Sequence, residues 1–164
     1  MKFNVEWLQS MTGLELDAGE LAQRLTAAGL EVDAVEPAGG GFSSVVAGEI
    51  TACVPHPDAD KLSLCTVETG EGASVQVVCG APNARAGLRA PLAMIGAQLP
   101  GGIKVREAKL RGQASSGMLC SARELGLGDD AGGLMELPPD APLGTDLGEW
   151  LALDDSVITL ELTP

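Results

Sequence analysis

A stretch rich in basic and hydroxyl side chains, residues 109–121, is the part of this sequence best suited to binding chemistry. It begins with Lys109 and Arg111, turns at a glycine, and continues through Ser115 and Ser116. Glycine tolerates positive φ, so the chain can turn sharply and another molecule can approach its backbone closely. Proteins contact phosphate groups with Lys, Arg, Ser and backbone N–H groups. The stretch therefore predicts a phosphate-binding loop, and the alternative is a surface hairpin whose charges are simply solvated.

A metal site would need ligands from four cysteines and one histidine. No two cysteines form the Cys-x-x-Cys pair that is typical of zinc sites. His56 lies near Asp58 and Asp60, but no further cluster accompanies them, so a structural turn is favoured. We predict no metal, and we expect buried, reduced thiols, as in a cytosolic protein, at Cys53, Cys65, Cys79 and Cys120.

The two ends of the chain carry patterns of both helix and strand. Apolar residues at helical spacing predict a helix over 3–11, and Asp17 with Glu20 resembles a capping box that begins a second helix. Residues 30–36 and 156–162 alternate polar and apolar side chains, and both patterns predict half-buried strands. Because a strand at a chain end needs a partner, we expect these two strands to pair.

Between these ends, short apolar runs alternate with Gly and Pro, of which the chain holds 22 and 10. Such punctuation favours short strands, and a closed barrel suits them because closure removes exposed sheet edges. The predicted strands are 45–54, 61–68, 75–79, 91–99, 103–108, 118–121 and 133–137. No apolar run approaches the roughly 20 residues needed to cross a bilayer. An early acid at Glu6 argues against a secretion signal, so we expect a cytoplasmic protein without membrane contact.

The net charge of −13 is distributed unevenly along the chain. Residues 45–125 hold eight basic and seven acidic residues, whereas the flanks hold two basic and sixteen acidic residues. The middle is therefore +1 and the flanks together are −14, which indicates that they are different units. The overall negative charge argues against nucleic-acid binding by the chain as a whole.

Four sequence blocks occur in a characteristic order in the middle of the chain. They are His56–Leu62, Val78–Asn83, Leu99–Gly102, and Lys109–Gly112 followed by Ser116–Ser121. This order resembles the tRNA-binding OB-fold module of the bacterial phenylalanyl-tRNA synthetase β subunit, which has relatives in methionyl- and tyrosyl-tRNA synthetases. Ordered blocks over roughly 65 residues are a much more specific signal than a single glycine motif.

The flanks extend this resemblance to essentially the whole chain. Residues 25–33 resemble the segment before the module, and residues 158–164 resemble the point where that subunit continues into its longer body. The resemblance implies an N-terminal fragment of a larger subunit. It implies a mainly β fold, in which a five-stranded OB-fold barrel is inserted into a small α/β unit formed by the two chain ends. The implied domains are the start of the split α/β unit at 1–39, the OB-fold domain at 40–150, and the returning strand at 151–164.

In the resembled family, the whole enzyme joins phenylalanine to its tRNA with ATP and Mg²⁺, as a tetramer of two α and two β chains. Its catalytic site belongs to the α subunit, so the resemblance implies a non-catalytic module for tRNA binding or positioning, with no cofactor of its own. The residues agree, because the sequence contains no phosphate-cradling glycine loop with its Lys and no credible nucleophile–base set. The implied partners are tRNA, the α subunit and the rest of the β subunit.

An OB barrel usually holds RNA with a basic groove and aromatic stacking. Residues 45–125 contain no aromatic residue, so RNA contact here would be weak, electrostatic and salt-sensitive. The alternative is a module that only packs within the β subunit and never contacts RNA. The predicted RNA-binding residues are Lys61, Lys104, Arg106, Lys109, Arg111, Ser115, Ser116 and Ser121.

Overall fold

The computed structural model describes residues 1–39 and 41–161, which form two compact units. The terminal unit consists of residues 1–39 and 152–161, and the central unit consists of residues 41–151. The sheets of both units are antiparallel, and the chain as a whole is mainly β, as the resemblance implied. In chain order the elements are β1 (Lys2–Asn4), α1 (Val5–Thr12), α2 (Ala18–Ala27), β2 (Glu31–Pro37), β3 (Ser43–His56), β4 (Ala59–Glu68), β5 (Ser74–Cys79), β6 (Arg89–Leu99), a 3-10 turn (Pro100–Gly102), β7 (Ile103–Lys104), β8 (Ala108–Leu110), β9 (Gln113–Ser115), β10 (Met118–Leu119), α3 (Leu147–Trp150) and β11 (Ser156–Glu161).

The terminal unit is a three-stranded antiparallel sheet in the order β1-β11-β2, together with α1 and α2. β11 pairs with β2 in a register that places Ser156 opposite Pro37 and Glu161 opposite Glu31. This pairing confirms the expectation that the two alternating segments form neighbouring strands. Leu162, the last residue of the predicted strand, lies outside the described residues.

A short strand precedes the first helix of this unit. Phe3 lies in β1 and pairs with β11, and α1 begins only at Val5. The prediction of a helix over 3–11 is therefore wrong at its start, because the sheet satisfies the backbone of Phe3 in extended form. α2 begins as predicted, since the Asp17 carboxylate accepts a hydrogen bond from the Glu20 N–H at 2.8 Å.

The central unit has an OB-like sheet in the order β10-β6-β3-β4-β5, with β7 added to β6. No strand ladder among the described residues joins β5 to β10, so the expected closure of the barrel by strand pairing is wrong. The reason is that β10 is only two residues long and pairs with β6. Single hydrogen bonds join its preceding segment to β5: Ser116 N–H donates to the Gln76 carbonyl at 2.9 Å, and Val78 N–H donates to Ser115 Oγ at 3.1 Å.

Two predicted strands of the central unit differ in the structure. Residues 133–137 form no strand, although Met135 N–H donates to the Cys120 carbonyl and Leu137 N–H donates to the Arg89 carbonyl. These two hydrogen bonds go to different partners, so no continuous ladder develops. The predicted strand 103–108 divides between β7 and the start of β8.

The core of the central unit consists of two apolar clusters. Its two aromatic residues, Phe42 and Trp150, are partly buried and pack against one of them, the cluster that contains Val45. Cys65, Cys79 and Cys120 are buried in these clusters, Cys53 is half-buried, and all four thiols are free. Among the described residues, no three His, Cys, Asp or Glu side chains are grouped to hold a metal ion. In the same part of the chain, no helix is long and apolar enough to cross a membrane.

Candidate nucleic-acid interface

The central unit contains eight cationic side chains, and they fall into two classes. Arg85 pairs with Glu136 at 2.9 Å, and Arg89 pairs with Glu49 at 2.8 Å. The other six are exposed and form no ion pair with any described residue. Unpaired, exposed cations are the ones available to a phosphate backbone. These six are Lys61, Lys104, Arg106, Lys109, Arg111 and Arg123.

Five of the six cations lie where OB folds bind nucleic acids. That surface is formed by the second and third barrel strands, here β4 and β5, together with the loop before the second strand and the loop between the fourth and fifth strands. Lys61 lies in β4, the second barrel strand. The other four lie between β6 and β10, the fourth and fifth barrel strands: Lys104, Arg106, Lys109 and Arg111. The structure thus places all five predicted cations on these elements.

The connection between β6 and β10 contains a two-residue hairpin that presents Arg111 at its tip. Residues 108–110 pair with residues 113–115. Arg111 has φ +47° and Gly112 has φ +85°, which is the pattern of a type I′ turn. Arginine is uncommon in this conformation, whereas asparagine adopts it readily. Arg111→Asn therefore removes the charge of the side chain and keeps the type I′ turn.

The side chain of His56 joins this hairpin to the turn between β3 and β4 by hydrogen bonds. Its ring is buried, and Nδ1 accepts a hydrogen bond from the N–H of Asp58 at 3.0 Å. The proton of the neutral ring must then be on Nε2, which donates to the carbonyl of Leu110 at 3.2 Å. The structure therefore gives His56 a positioning role, consistent with the structural turn favoured from the sequence.

The three predicted serines occupy different environments. Ser115 is buried, and its hydroxyl accepts from Val78 N–H and donates to the carbonyl of Gly117 at 3.1 Å. Ser121 is also buried, and its hydroxyl and N–H both donate to the carboxylate of Glu124, at 2.8 and 2.7 Å. Because both hydroxyls are used inside the unit, we leave Ser115 and Ser121 out of the candidate interface. Ser116 is only half-buried, and its hydroxyl forms no hydrogen bond with any described residue.

A cleft of about 650 Å³ opens beside the hairpin. Its apolar walls include Ile103 and Met118, and Lys104, Arg106 and Arg123 supply positive charge. Arg123 is the functional candidate that the sequence analysis missed. The sequence contains one local signal here, because Ser121 and Glu124 form the S-x-x-E pattern of a capping box, but this pattern predicts only a turn and not that the turn borders a cleft.

One of the four ordered sequence blocks, Val78–Asn83, has a structural role in this unit. Asn83 accepts a hydrogen bond from Leu134 N–H at 2.8 Å and donates to the Leu134 carbonyl at 3.0 Å. The same amide donates to Glu136, whose pKa is lowered first by the hydrogen bond from Arg85 and then by that from Asn83. Asn83 therefore holds the segment around Leu134 against the sheet, and we do not include it in the interface.

Cys79 lies in the wall of the same cleft, at the end of β5. A hydrogen bond from Cys65 lowers the pKa of Cys79 to about 7, although burial opposes this change, and the N–H of Ala81 adds to it. Cys120, in contrast, lies inside the core, where burial and then the charge of Glu124 raise its pKa to about 12. Of these two thiols, the one in the wall of the cleft is the one with the lowered pKa.

Known proteins resemble this chain both in the central unit and along its whole length. The sequence profile described as "Putative tRNA binding domain" matches residues 45–146. Over all 164 residues, the chain is 54% identical to the phenylalanine–tRNA ligase beta subunit of Methylococcus capsulatus. It is 56% identical to those of Aromatoleum aromaticum and Bordetella parapertussis over the same length. These alignments cover 21%, 21% and 20% of the relatives, so the chain spans about a fifth of their length.

Among solved structures, the MetRS related protein from Pyrococcus horikoshii is 15% identical, with a TM-score of 0.47. The alignment covers 82% of this chain and 99% of that one, but a score below 0.5 establishes no common fold. The sequence matches assign the family without this structural match. They confirm the resemblance to the phenylalanyl-tRNA synthetase β subunit that the ordered blocks indicated. Because the profile match spans more than half of the sequence, the chain belongs to the tRNA-binding-domain family.

Proposed function

We propose that this chain is a non-catalytic tRNA-binding or tRNA-positioning module that acts within a phenylalanine–tRNA ligase beta subunit. The observation that carries the proposal is the group of six exposed, unpaired cations in the family-matched residues of the central unit. Five of them lie on the elements that OB folds use for nucleic acids. The relatives matched along the whole chain are named as phenylalanine–tRNA ligase beta subunits, which supports tRNA as the ligand.

Binding would depend on phosphate contacts, since the two aromatic residues of the central unit pack against its core. Without base stacking, Lys109 and Arg111 on the hairpin and the three cations of the cleft supply the attraction. The net charge of −13 opposes this attraction at long range. The isolated chain should therefore bind tRNA weakly, and the module should contribute mainly when other parts of the enzyme already hold the tRNA.

At the level of the whole enzyme, the proposed reaction joins phenylalanine to tRNA(Phe) with ATP and Mg²⁺, in a tetramer of two alpha and two beta subunits. This chain would supply neither the reacting groups nor the ligands of ATP and Mg²⁺. Its proposed partners are tRNA, the alpha subunit and the rest of the beta subunit. Cytoplasmic location is part of the same proposal.

A second candidate function is structural packing within the beta subunit, with no RNA contact. The absence of exposed aromatic residues from the central unit's described residues favours it, because OB folds that bind single strands usually stack bases on such residues. The two candidates differ in one respect that can be measured: only the first requires the hairpin cations.

The test is titration of tRNA with the chain at several salt concentrations. We compare the unmodified chain with the double variant Lys109→Gln, Arg111→Asn, in which Asn preserves the type I′ turn. Loss of two phosphate contacts should lower the affinity about tenfold at low salt and reduce the slope of log K against log salt by about 1.5.

The matched control removes two cations from the terminal unit, Lys2→Gln with Arg24→Gln, and so changes the net charge equally. We expect this control to retain most of the affinity. Equal losses in the two double variants would mean that only net charge matters, and an unchanged affinity in the hairpin variant would support the packing function.

A further inference from the structure

The terminal unit carries an uncovered apolar stripe on its first helix. Trp7 and Met11 are four residues apart in α1 and therefore lie on one face of the helix, and Leu14 follows the helix end. Their exposed fractions are 56%, 70% and 47%. We call these three residues the α1 stripe. Exposed Trp and Met side chains grouped in this way are typical of protein–protein contacts.

The core of the terminal unit is small. Among the described residues, four apolar side chains are buried and six partly buried ones pack against them: Val5, Leu21, Ile158 and Leu160, with Phe3, Leu8, Leu16, Ala18, Leu25 and Val32. A unit of about 50 residues loses a large conformational entropy on folding, so a core of this size leaves little margin of stability. The unit also exposes Met1, Leu30 and Val35 in addition to the stripe. Its stability should therefore increase when polypeptide covers these residues.

The surroundings of the stripe define the chemistry of its occupant. A hollow of about 310 Å³ adjoins Leu14 and is bordered by Glu6 and Glu15. The terminal unit as a whole carries ten acidic and two basic residues. A complementary surface would place apolar side chains at the centre and Lys or Arg at the rim.

A second copy of this chain does not have that chemistry. Two α1 stripes in contact would bring Glu6 and Glu15 of one copy against the same acids of the other, and like charges in an interface oppose association. The matched relatives offer a different occupant, because this chain aligns along its whole length with only about a fifth of each beta subunit. The remaining four fifths of each beta subunit are polypeptide that is available to pack against the α1 stripe.

We propose that the α1 stripe is a docking surface for the part of the beta subunit that lies outside the aligned fifth, through an apolar segment with a basic rim. The contact buries Trp7 and Met11 and completes the core of the terminal unit. It rests on the proposed place of this chain within a beta subunit, but it requires none of the cations assigned to tRNA, so a failure of docking and a failure of tRNA binding can be told apart.

The test compares the accessibility of one stripe position in the isolated chain and in a full-length subunit. Met11→Cys is introduced into this chain and into the Methylococcus capsulatus beta subunit in which this chain replaces its aligned segment. A maleimide labels both proteins, and mass spectrometry reads the peptide that contains position 11, so that the native cysteines do not interfere. Ile95→Cys, at an apolar position of the central unit that is 52% exposed, is the matched control.

We expect labelling at position 11 to be about tenfold slower in the full-length subunit, because the centre of a packed interface excludes solvent. Labelling at position 95 should be similar in both proteins. Equal rates at position 11 would overturn the proposal. Protection of position 11 in the isolated chain that grows with protein concentration would also overturn it, since the occupant would then be a second copy.

A second measurement applies if the chimeric subunit does not fold. The isolated chain is mixed with the Methylococcus capsulatus beta subunit that lacks the aligned segment, and binding is measured by calorimetry. The double variant Trp7→Ala, Met11→Ala should bind at least about tenfold more weakly, as expected when central aromatic and Met contacts are removed, whereas Ile95→Ala should bind normally. No binding, or equal binding by the double variant, would contradict the docking surface.

Discussion

The two units of this chain leave different kinds of side chain uncovered. The central unit buries its apolar residues in clusters of eleven and ten residues, and its exposed surface carries six unpaired cations. Among its described residues, the terminal unit buries four apolar side chains and exposes Trp7 and Met11, and it carries a strong negative charge. The first pattern suits a polyanion, and the second suits another part of a polypeptide. One short chain thus presents two surfaces whose proposed partners require opposite chemistry.

The largest expected effect tests whether the two units really differ in how well they are covered. Leu92 is fully buried in β6, so Leu92→Ala should lower the free energy of unfolding of the central unit by about 2–5 kcal/mol. Trp7→Ala removes a larger side chain from an exposed site and should change stability by less than about 0.5 kcal/mol. Urea unfolding followed by circular dichroism measures both. A large loss in Trp7→Ala would mean that the stripe is already covered in the isolated chain.

The next prediction concerns two buried thiols of the central unit. The thiolate is the reactive form, and the pKa of Cys79 is lowered to about 7, so its alkylation should accelerate as the pH rises through about 7. Cys120, with its pKa raised to about 12, should stay unreactive up to about pH 10. Peptide-level mass spectrometry after iodoacetamide treatment separates the two sites.

Removal of Cys65 provides the control for that result. Cys65→Ala deletes the hydrogen bond that contributes most to the lowered pKa of Cys79, so the reactive range of Cys79 should move to higher pH. An alkylation profile for Cys79 centred near the ordinary thiol pKa of about 8.5, unchanged in Cys65→Ala, would exclude this interaction.

A smaller effect should separate the two adjacent serines that the sequence placed in one loop. Ser115→Ala removes an acceptor from Val78 N–H and a donor to Gly117 in a buried position, so it should destabilise the central unit by about 1–3 kcal/mol. Ser116 contributes its backbone N–H to the sheet, so Ser116→Ala should be nearly neutral. Thermal unfolding of the two variants checks the difference, and equal stabilities would show that the Ser115 hydroxyl does not join β5 to the segment before β10.

The sequence was most informative where local chemistry determines structure. Alternation predicted that the segments of β2 and β11 are strands, and the Asp17 cap predicted the start of α2, because both signals lie in neighbouring residues. The pairing of β2 with β11 followed from the need of a strand at a chain end for a partner. The ordered blocks predicted the family. The stretch that carries Lys109 and Arg111 was expected to be a loop, with a hairpin as the alternative, and the structure forms the hairpin.

The remaining features depend on contacts between residues far apart in sequence. Ser115 looked available in the sequence, but β5 uses its hydroxyl from 37 positions away. Phe3 matched a helical pattern, but pairing with β11 at the other end of the chain made it a strand residue. Arg123 was passed over because its position beside the cleft follows from tertiary structure, not from the charges near it.

The smallest expected effect tests the distinction between paired and unpaired cations within the central unit. Arg123 is unpaired and lines the cleft, so Arg123→Gln should lower tRNA affinity about two- to fivefold at low salt and reduce the salt slope by about 0.8. Arg85 already pairs with Glu136, so Arg85→Gln should leave both quantities nearly unchanged, although it alters the net charge by the same amount. Titration of tRNA with the two variants under identical salt conditions provides the comparison. Equal effects would mean that tRNA responds to overall charge, and the cleft would then lose its place in the proposed interface.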